Sequence, residues 1–186
     1  MITREEAYKI LKEHVKGKFM INHHLASEIV MRAFAKHFNE DEELWGICGL
    51  LHDMDWEYTK DNPDEHTKKA AEILRKEGID EVIIHAVQAH HPTASGVWPS
   101  NLMEECLYTT EELTGLMIAC ALVQPDKKLA SVKVESVLKK LKTKGFARGV
   151  NREVVGRAPE VLNMSMEEVI QISLGAMQSI AEELGL

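Results

Sequence analysis

Apolar residues recur every three or four positions along most of the chain, and this spacing strongly limits the folds available to it. An early example is the series Ala7, Ile10, Leu11 and Val15. No run shows the strict alternation with β-branched residues that is typical of a half-buried strand. Aromatic residues make up only 5% of the sequence, which also favours helix over strand. The sequence therefore predicts an all-α protein built as a helical bundle.

Capping residues, glycines and prolines place the ends of the predicted helices. Thr3 and Ser165 are expected to open the first and last helices, the latter with a capping box to Glu168. Pro92 should end the helix before it, and the segment 93–100 is predicted to be a loop. The predicted helices cover approximately 3–17, 22–38, 40–51, 62–76, 80–91, 102–108, 111–122, 131–142 and 165–185.

The length of 186 residues and the absence of repeats or linkers predict one domain, residues 1–186, with its own core. Three cysteines without a CxxC spacing, Cys48, Cys106 and Cys120, lie in apolar stretches and are expected to be free thiols in a reducing compartment. The first residues include acids and lack a signal peptide's apolar region. No apolar run approaches the roughly 20 residues of a membrane span. We therefore expect a cytoplasmic protein.

Charge is unevenly distributed along the chain, whose formal net charge is −8. The segment from Lys127 to Arg157 contains ten basic residues and only two acidic ones. This segment is either a solvated helix and loop or a basic rim that attracts an anionic substrate. Overall acidity argues against nucleic acid as a partner, so nucleic-acid binding by the basic segment is the weakest alternative.

Histidines are concentrated in one part of the sequence. Eight of the nine lie between positions 23 and 91, and each main candidate is near the middle or end of a different predicted helix. A helical bundle can direct side chains from several helices to one interior point. Imidazole and carboxylate groups together suit first-row transition metals. The pattern thus indicates a metal site.

The pair His52-Asp53 directly follows the apolar run Leu44–Leu51. Two polar residues at the end of a buried helix are hard to explain by packing, because buried polar groups need partners. A metal ion is an effective partner, and helix capping is the alternative. A bare His-Asp pair is a weak signal, but LLHDMD with further histidines on both sides is a stronger one.

Five segments together resemble the HD-domain superfamily of metal-dependent phosphohydrolases, in its HDIG-type branch of single-domain bacterial and archaeal proteins. They are NHHLASEIVMRAF, CGLLHDMDWE, DEHTKKAAEIL, IIHAVQAHHPT and LYTTEELTGLMIACALVQP. The resemblance covers a motif core of about residues 20–125, and residues 126–186 look like the helical extension of such proteins. It implies an all-α fold of the HD-domain type.

The resemblance also implies a set of metal ligands. The family's first histidine falls on His23, and its HD pair falls on His52 and Asp53. The closing Asp of the family pattern is replaced here by Glu111, whose side chain is one methylene longer and could still bind a metal. The alternative for Glu111 is an interaction with the dipole at the start of its own predicted helix.

Relatives with two metals imply three further residues. His66 and His90 match the additional histidine ligands, and Asp53 would then bridge the two ions. His91 could bind a metal or contact the substrate. The alternatives are that His66 is an exposed surface residue and that His90 merely ends its helix.

The implied function is hydrolysis of a small phosphorylated compound or nucleotide by metal-activated water. It would need one or two divalent ions, with Fe, Mn, Co, Ni, Zn and Mg as candidates. Asp53 would hold the water between the ions, while Asp55 and Glu57 are candidates for orienting it or accepting a proton. One alternative is a regulatory or interaction domain with little catalysis, suggested by Glu111, and another is a di-iron oxygenase. The sequence leaves the substrate and a homo-oligomeric state open.

Overall fold

The computed structural model describes residues 2–186, and within that range all regular secondary structure is helical. The predicted all-α fold is confirmed. The α-helices are α1 Arg4–His14, α2 Lys18–Phe38, α3 Glu42–Leu51, α4 Trp56–Thr59, α5 Lys68–Lys76, α6 Glu81–Ala89, α7 Pro92–Ser95, α8 Leu102–Leu122, α9 Val134–Leu141, α10 Arg152–Val155, α11 Ala158–Val161, α12 Met166–Ser179 and α13 Ala181–Leu184. Short 3₁₀ helices lie at Pro63–Glu65 and Leu129–Ser131. Each helix in residues 2–186 is too short or too polar to cross a membrane.

Two 21-residue helices, α2 and α8, form the centre of the bundle. They pack against each other, and α3 and α12 pack against both of them. Phe34 of α2 and Leu113 of α8 are completely buried in the shared core. The remaining helices surround this pair, with α6, α9, α10 and α11 also packing on α8.

Two glycines allow α3 to approach α2 closely. A Cβ atom on Gly49 would lie 2.6 Å from the backbone oxygen of Ser27, and one on Gly46 would lie 2.6 Å from Nε of Arg32. Any larger residue at position 49 would therefore push the two backbones apart. The close approach brings the end of α3, with His52 and Asp53, next to the second turn of α2.

The two predicted helices at 102–108 and 111–122 are one continuous helix, α8, so the predicted break is wrong. The hydroxyls of Thr109 and Thr110 each donate a 2.7 Å hydrogen bond to the carbonyl four residues earlier, which satisfies them within the helix. Asn101 caps the start of α8, where its side chain accepts the backbone N–H of Glu104. Glu111 therefore lies in the middle of a helix, which excludes its alternative role at a helix start.

The predicted helix at 62–76 is interrupted. A 3₁₀ turn covers Pro63–Glu65, Thr67 adopts a left-handed backbone with φ 65°, and α5 begins only at Lys68. A β-branched residue is strained in this conformation. The interruption turns His66 inward, where its side chain is almost completely buried. A short helix, Pro92–Ser95, also replaces part of the predicted loop at 93–100.

The C-terminal third is more broken than the sequence suggests. The basic helix predicted at 131–142 is shorter, and the final helix, which begins at the predicted capping box of Ser165, is interrupted at Ile180. Between them, the loop 142–151 wraps around one guanidinium. Arg152 donates hydrogen bonds to five carbonyl oxygens, those of Leu141, Thr143, Phe146, Ala147 and Val150.

Candidate metal centre

Four imidazoles from four parts of the chain surround the carboxylate of Asp53. His23 comes from α2, His52 follows α3, His66 precedes α5, and His90 follows α6. The elements that carry them are held by the core, so the side chains meet at one interior point as the sequence analysis expected.

The two oxygens of Asp53 face different histidines. Its Oδ2 lies 3.4 Å from Nε2 of His23 and 3.6 Å from Nε2 of His52. Its Oδ1 lies 3.2 Å from Nε2 of His66 and 3.1 Å from Nε2 of His90. We call the Oδ2 side, with His23, His52 and Glu111, the front half, and the Oδ1 side, with His66 and His90, the back half.

Backbone carbonyls fix two of the rings. Nδ1 of His52 donates to the carbonyl oxygen of Gly49 at 2.8 Å, and Nδ1 of His90 donates to that of Val87 at 2.6 Å. A carbonyl can only accept, so the proton of each neutral ring is on Nδ1. The lone pair on Nε2 therefore points into the cluster in both residues.

Side chains hold Nδ1 of the other two rings, so that Nε2 of each faces the cluster. Nδ1 of His66 donates to Oδ1 of Asp55 at 2.8 Å. The Thr114 hydroxyl donates to the carbonyl of Glu111 at 2.7 Å, so it accepts from Nδ1 of His23 at 3.2 Å. Metal-binding histidines typically use their second nitrogen in this way.

The donor atoms fit a cation better than they fit one another. Nε2 of His23 lies 3.0 Å from Nε2 of His52, a position where two neutral rings would place their lone pairs against each other. Potential ligand atoms of His23, His52 and Glu111 lie within 4.8 Å of one another, as do those of His52, Asp53 and His90. Nitrogen and carboxylate donors at this separation suit first-row divalent ions.

Glu111 lies where the front half meets solvent. Its Oε2 is 3.7 Å from Nε2 of His23, and its side chain is 15% exposed. Burial and the negative charges of Asp53 and Glu112 raise the pKa of Glu111 well above its usual range. A divalent ion between the two carboxylates would reverse this effect, because it favours the ionised form of each.

Burial and hydrogen bonding shift the other groups in different directions. Burial lowers the pKa of His52 well below its usual range, which keeps the ring neutral. Burial acts to raise the pKa of Asp53, but the imidazoles around it, His52 foremost, hold that pKa well below its usual range. Burial opposes protonation of His66, yet its hydrogen bonds with Asp53 and Asp55 raise its pKa to about 10.

Three other predicted site residues lie outside the cluster. Asp55 is completely buried behind His66, and its Oδ2 accepts the backbone N–H of Ala70 at the start of α5. Glu57 is not brought to the cluster, because its carboxylate accepts the backbone N–H groups of residues 16 and 17 at 2.8 Å. His91 is half-buried, with its ring centre 5.1 Å from that of His66.

A pocket of about 510 Å³ opens onto the front half. His23, Asp53 and Glu111 form its inner end, whereas His66 and His90 do not line it. The front half is therefore the side that a small molecule can reach, and this volume is typical of small-molecule sites, roughly 300–1,000 Å³.

Sequence reasoning missed Thr114 and Glu112. Thr114 is three residues after Glu111, and this spacing places both on one face of α8. The predicted helix 111–122 already implied this relation, but the contact of the Thr114 hydroxyl with His23, 91 residues away in sequence, depends on the fold. Glu112 lines the pocket and accepts the backbone N–H of Asn151, which ties the loop 142–151 to α8. No local pattern in the sequence signals this contact.

The chain is similar in sequence to a curated protein and matches the model of one protein family. It is 28% identical over 149 residues to a tRNA (cytidine(56)-2'-O)-methyltransferase from Thermoplasma volcanium, an alignment that covers 77% of this chain and 42% of the relative. The chain thus spans less than half the length of that curated relative. The family model of the HD domain matches residues 20–123, a region that contains the whole cluster and more than half of the chain. The protein therefore belongs to the HD-domain family, a superfamily of metal-dependent phosphohydrolases.

Proposed function

We propose that the protein hydrolyses a small phosphorylated compound with two divalent cations, one on each side of Asp53. The observation that supports this most directly is the division of the cluster by that carboxylate. Oδ2 faces the Nε2 atoms of His23 and His52, and Oδ1 faces those of His66 and His90. A carboxylate with donors on both sides is suited to bridge two ions.

In the proposed reaction, the cations and the protein make different contributions. Divalent ions lower the pKa of bound water and offset the charge that develops on phosphoryl oxygens. The protein's part is to hold His23, Asp53 and Glu111 at the inner end of the pocket, where a phosphate group can enter. Thr114 and Asp55 act as positioning residues, because each accepts the Nδ1 proton of one histidine and so directs its Nε2 inward.

Two other functions from the sequence analysis remain as rivals. The regulatory domain was suggested by Glu in place of the family's Asp, but the carboxylate of Glu111 is within the cluster, which favours an intact site. A di-iron oxygenase would use a similar set of donor atoms. The experiment below distinguishes it from a hydrolase by oxygen consumption. The relative's name concerns methyl transfer to tRNA, and we do not extend it to this chain because the cluster is suited to cations.

The test begins with metal-free protein reloaded separately with Mn, Fe, Co, Ni, Zn and Mg. Phosphate release is then measured with a panel of phosphomonoesters and nucleotides. We expect hydrolysis with at least one ion, and we expect His52→Ala to lose metal and activity together. Full metal content and full activity in His52→Ala would contradict the proposal. Iron-dependent oxygen consumption without phosphate release would favour the oxygenase.

A further inference from the structure

The ionisable side chains that line the pocket in front of the cluster are few, and they belong to the cluster or lie beside it. Beyond the four residues His23, Asp53, Glu111 and Glu112, its walls are apolar side chains and glycines. Phe19 and Met20 of α2, Trp56 of α4, and Ile118 and Leu122 of α8 provide most of this surface. The phosphate of a substrate at the inner end would therefore have an apolar channel behind it.

For the basic segment, a rim that attracts anions was one of two interpretations, the other being a solvated helix and loop. No Lys or Arg lines the pocket among residues 2–186. The guanidinium of Arg152 is bound to backbone carbonyls, and Arg157 pairs with Glu105. The loop 142–151 instead contributes the apolar side chains of Ala147 and Val150. A polyphosphate chain would find no cationic side chain along this wall.

The same walls offer few partners to a sugar or a base. Buried hydroxyl and ring-nitrogen groups need hydrogen bonds, and leaving them unpaired costs binding energy. Among residues 2–186, the polar side-chain groups of the lining beyond the cluster residues are the carboxylate of Glu112, which already accepts the N–H of Asn151, and the indole N–H of Trp56. An apolar group has no hydrogen bonds to water that it would lose on entering such a space.

Large apolar side chains continue from the walls to the mouth of the pocket. Phe19 is 68% exposed, Leu122 is 51% exposed and Trp56 is 38% exposed. Single exposed apolar residues are common, but three at the rim of one pocket form a continuous apolar path from solvent to the cluster. Such a path favours a ligand with an apolar tail.

Small residues on α8 create the space inside the pocket. Gly115 and Ala119 are one turn apart and face it, next to Glu111 and Ile118. A Cβ atom built on Gly115 would meet nothing within 4 Å. The pocket therefore depends on the missing side chain at position 115, and a larger residue there would fill it without clashing with the backbone.

From these observations, and resting on the phosphohydrolase function proposed above, we infer that the substrates are phosphate monoesters of apolar alcohols. The phosphate is bound at the inner end by the cluster, and the hydrocarbon group lies along the small-residue face of α8. Hydrolysis by water transfers the phosphoryl group to the water oxygen and returns the ester oxygen, with a proton, as the free alcohol.

The test uses n-alkyl phosphates from ethyl to octyl, whose leaving groups have nearly the same reactivity. The protein is loaded with the ion that gives the fastest hydrolysis, or with manganese if none does. We expect kcat/KM to rise by about fourfold for each methylene that the pocket buries. Calorimetry with the matching alkylphosphonates should show the same rise in affinity and an increasingly negative heat-capacity change.

Gly115→Leu tests the location of the hydrocarbon group. Leucine at this position should fill the pocket and flatten the dependence of kcat/KM and of phosphonate affinity on chain length. Gly175→Leu is the matched control, because Gly175 is also helical, exposed on α12 and free of neighbours within 4 Å of a built Cβ. It gains the same helix propensity and should keep the wild-type dependence.

Different outcomes contradict the two proposals. If phosphate esters are hydrolysed but nucleotides or sugar phosphates exceed octyl phosphate, or chain length has no effect, the inference about the apolar group is wrong and the hydrolase stands. If no ester is hydrolysed but phosphonate affinity still rises with chain length and falls in Gly115→Leu, the apolar site stands and the hydrolase is wrong. An unchanged chain-length dependence in Gly115→Leu also overturns the inferred location.

Discussion

The two halves of the metal centre share one carboxylate but differ in their access to solvent. In the front half, His52 is completely buried, but the side chains of His23 and Glu111 are 14% and 15% exposed and line the pocket. In the back half, those of His66 and His90 are 4% and 3% exposed. Behind His66 lies the completely buried carboxylate of Asp55. The centre thus has an open side and a closed side.

This difference in exposure indicates different roles for the two halves in the proposed function. In the proposed function, an ion held by the front half would be accessible to a molecule in the pocket, as a catalytic site requires. An ion in the back half would be surrounded by protein groups whose own partners are also buried, an arrangement that favours tight binding. The side chains that accept the Nδ1 protons of the histidines also differ between the halves. In the front half the acceptor is the hydroxyl of Thr114, and in the back half it is the carboxylate of Asp55.

The largest effect is expected from Asp53→Asn, because this residue serves both halves. An amide has one oxygen and no charge, so neither ion keeps its carboxylate ligand. Loss of the hydrogen-bond partner of a metal ligand lowers metal affinity by up to roughly 100-fold. Because Asp53→Asn removes a ligand itself, we expect a larger fall in metal affinity at both sites. The measurement is metal titration against a competing chelator, together with phosphate release.

Asp126→Asn is the control for this variant, because Asp126 is an exposed acid that bonds to Ser131 outside the cluster. It should bind metal as the wild type does. A single site lost in Asp53→Asn, with the other unchanged, would show that the carboxylate does not bridge.

The second prediction separates the halves. Asp55→Asn leaves only one side-chain oxygen for two buried donors, Nδ1 of His66 and the N–H of Ala70. We expect the back ion to bind about 10–100-fold more weakly. The unpaired donor should also reduce the free energy of unfolding by about 1–3 kcal/mol. Biphasic metal titration and urea denaturation measure the two effects.

The front ion is the internal control for Asp55→Asn, since its ligands do not contact Asp55. Equal weakening of both ions would mean that the halves are not independent. Wild-type affinity at both sites would mean that Asp55 serves only to cap α5.

The sequence identified the residues that meet in the cluster, because each marks the end of an apolar helix or matches a family motif. It placed His23, His52, Asp53, His66, His90 and Glu111 as candidate ligands, and the structure brings these side chains together. Their role in binding metal stays a prediction. The all-α fold was predictable because helical periodicity is a local property.

The groups behind the ligands were harder to predict, because they depend on contacts between distant segments. Asp55 was a candidate for orienting the attacking water or accepting a proton, with an exposed surface position as the alternative. Instead it is buried, and His66, which precedes the strained turn at Thr67, lies over it. Glu57 was expected in the site because it follows the motif closely, yet it binds the backbone before α2. The loop 142–151, which forms one wall of the pocket, is held by hydrogen bonds from Arg152 to its backbone carbonyls. No local pattern in the sequence predicts these bonds.

The smallest effect is expected from Thr114→Val, which tests the front half alone. Valine has nearly the shape of threonine but leaves Nδ1 of His23 without its acceptor, so the ring is no longer held with Nε2 toward Asp53. Because a neutral hydroxyl holds the ring less strongly than a carboxylate, we expect the front ion to weaken by about 10-fold, the lower end of the range for loss of a ligand's hydrogen-bond partner. The back ion should be unaffected in a chelator-competition titration. Thr114→Ser keeps the hydroxyl and should restore the front affinity, so equal loss in both variants would assign the effect to packing in α8 and not to the hydrogen bond.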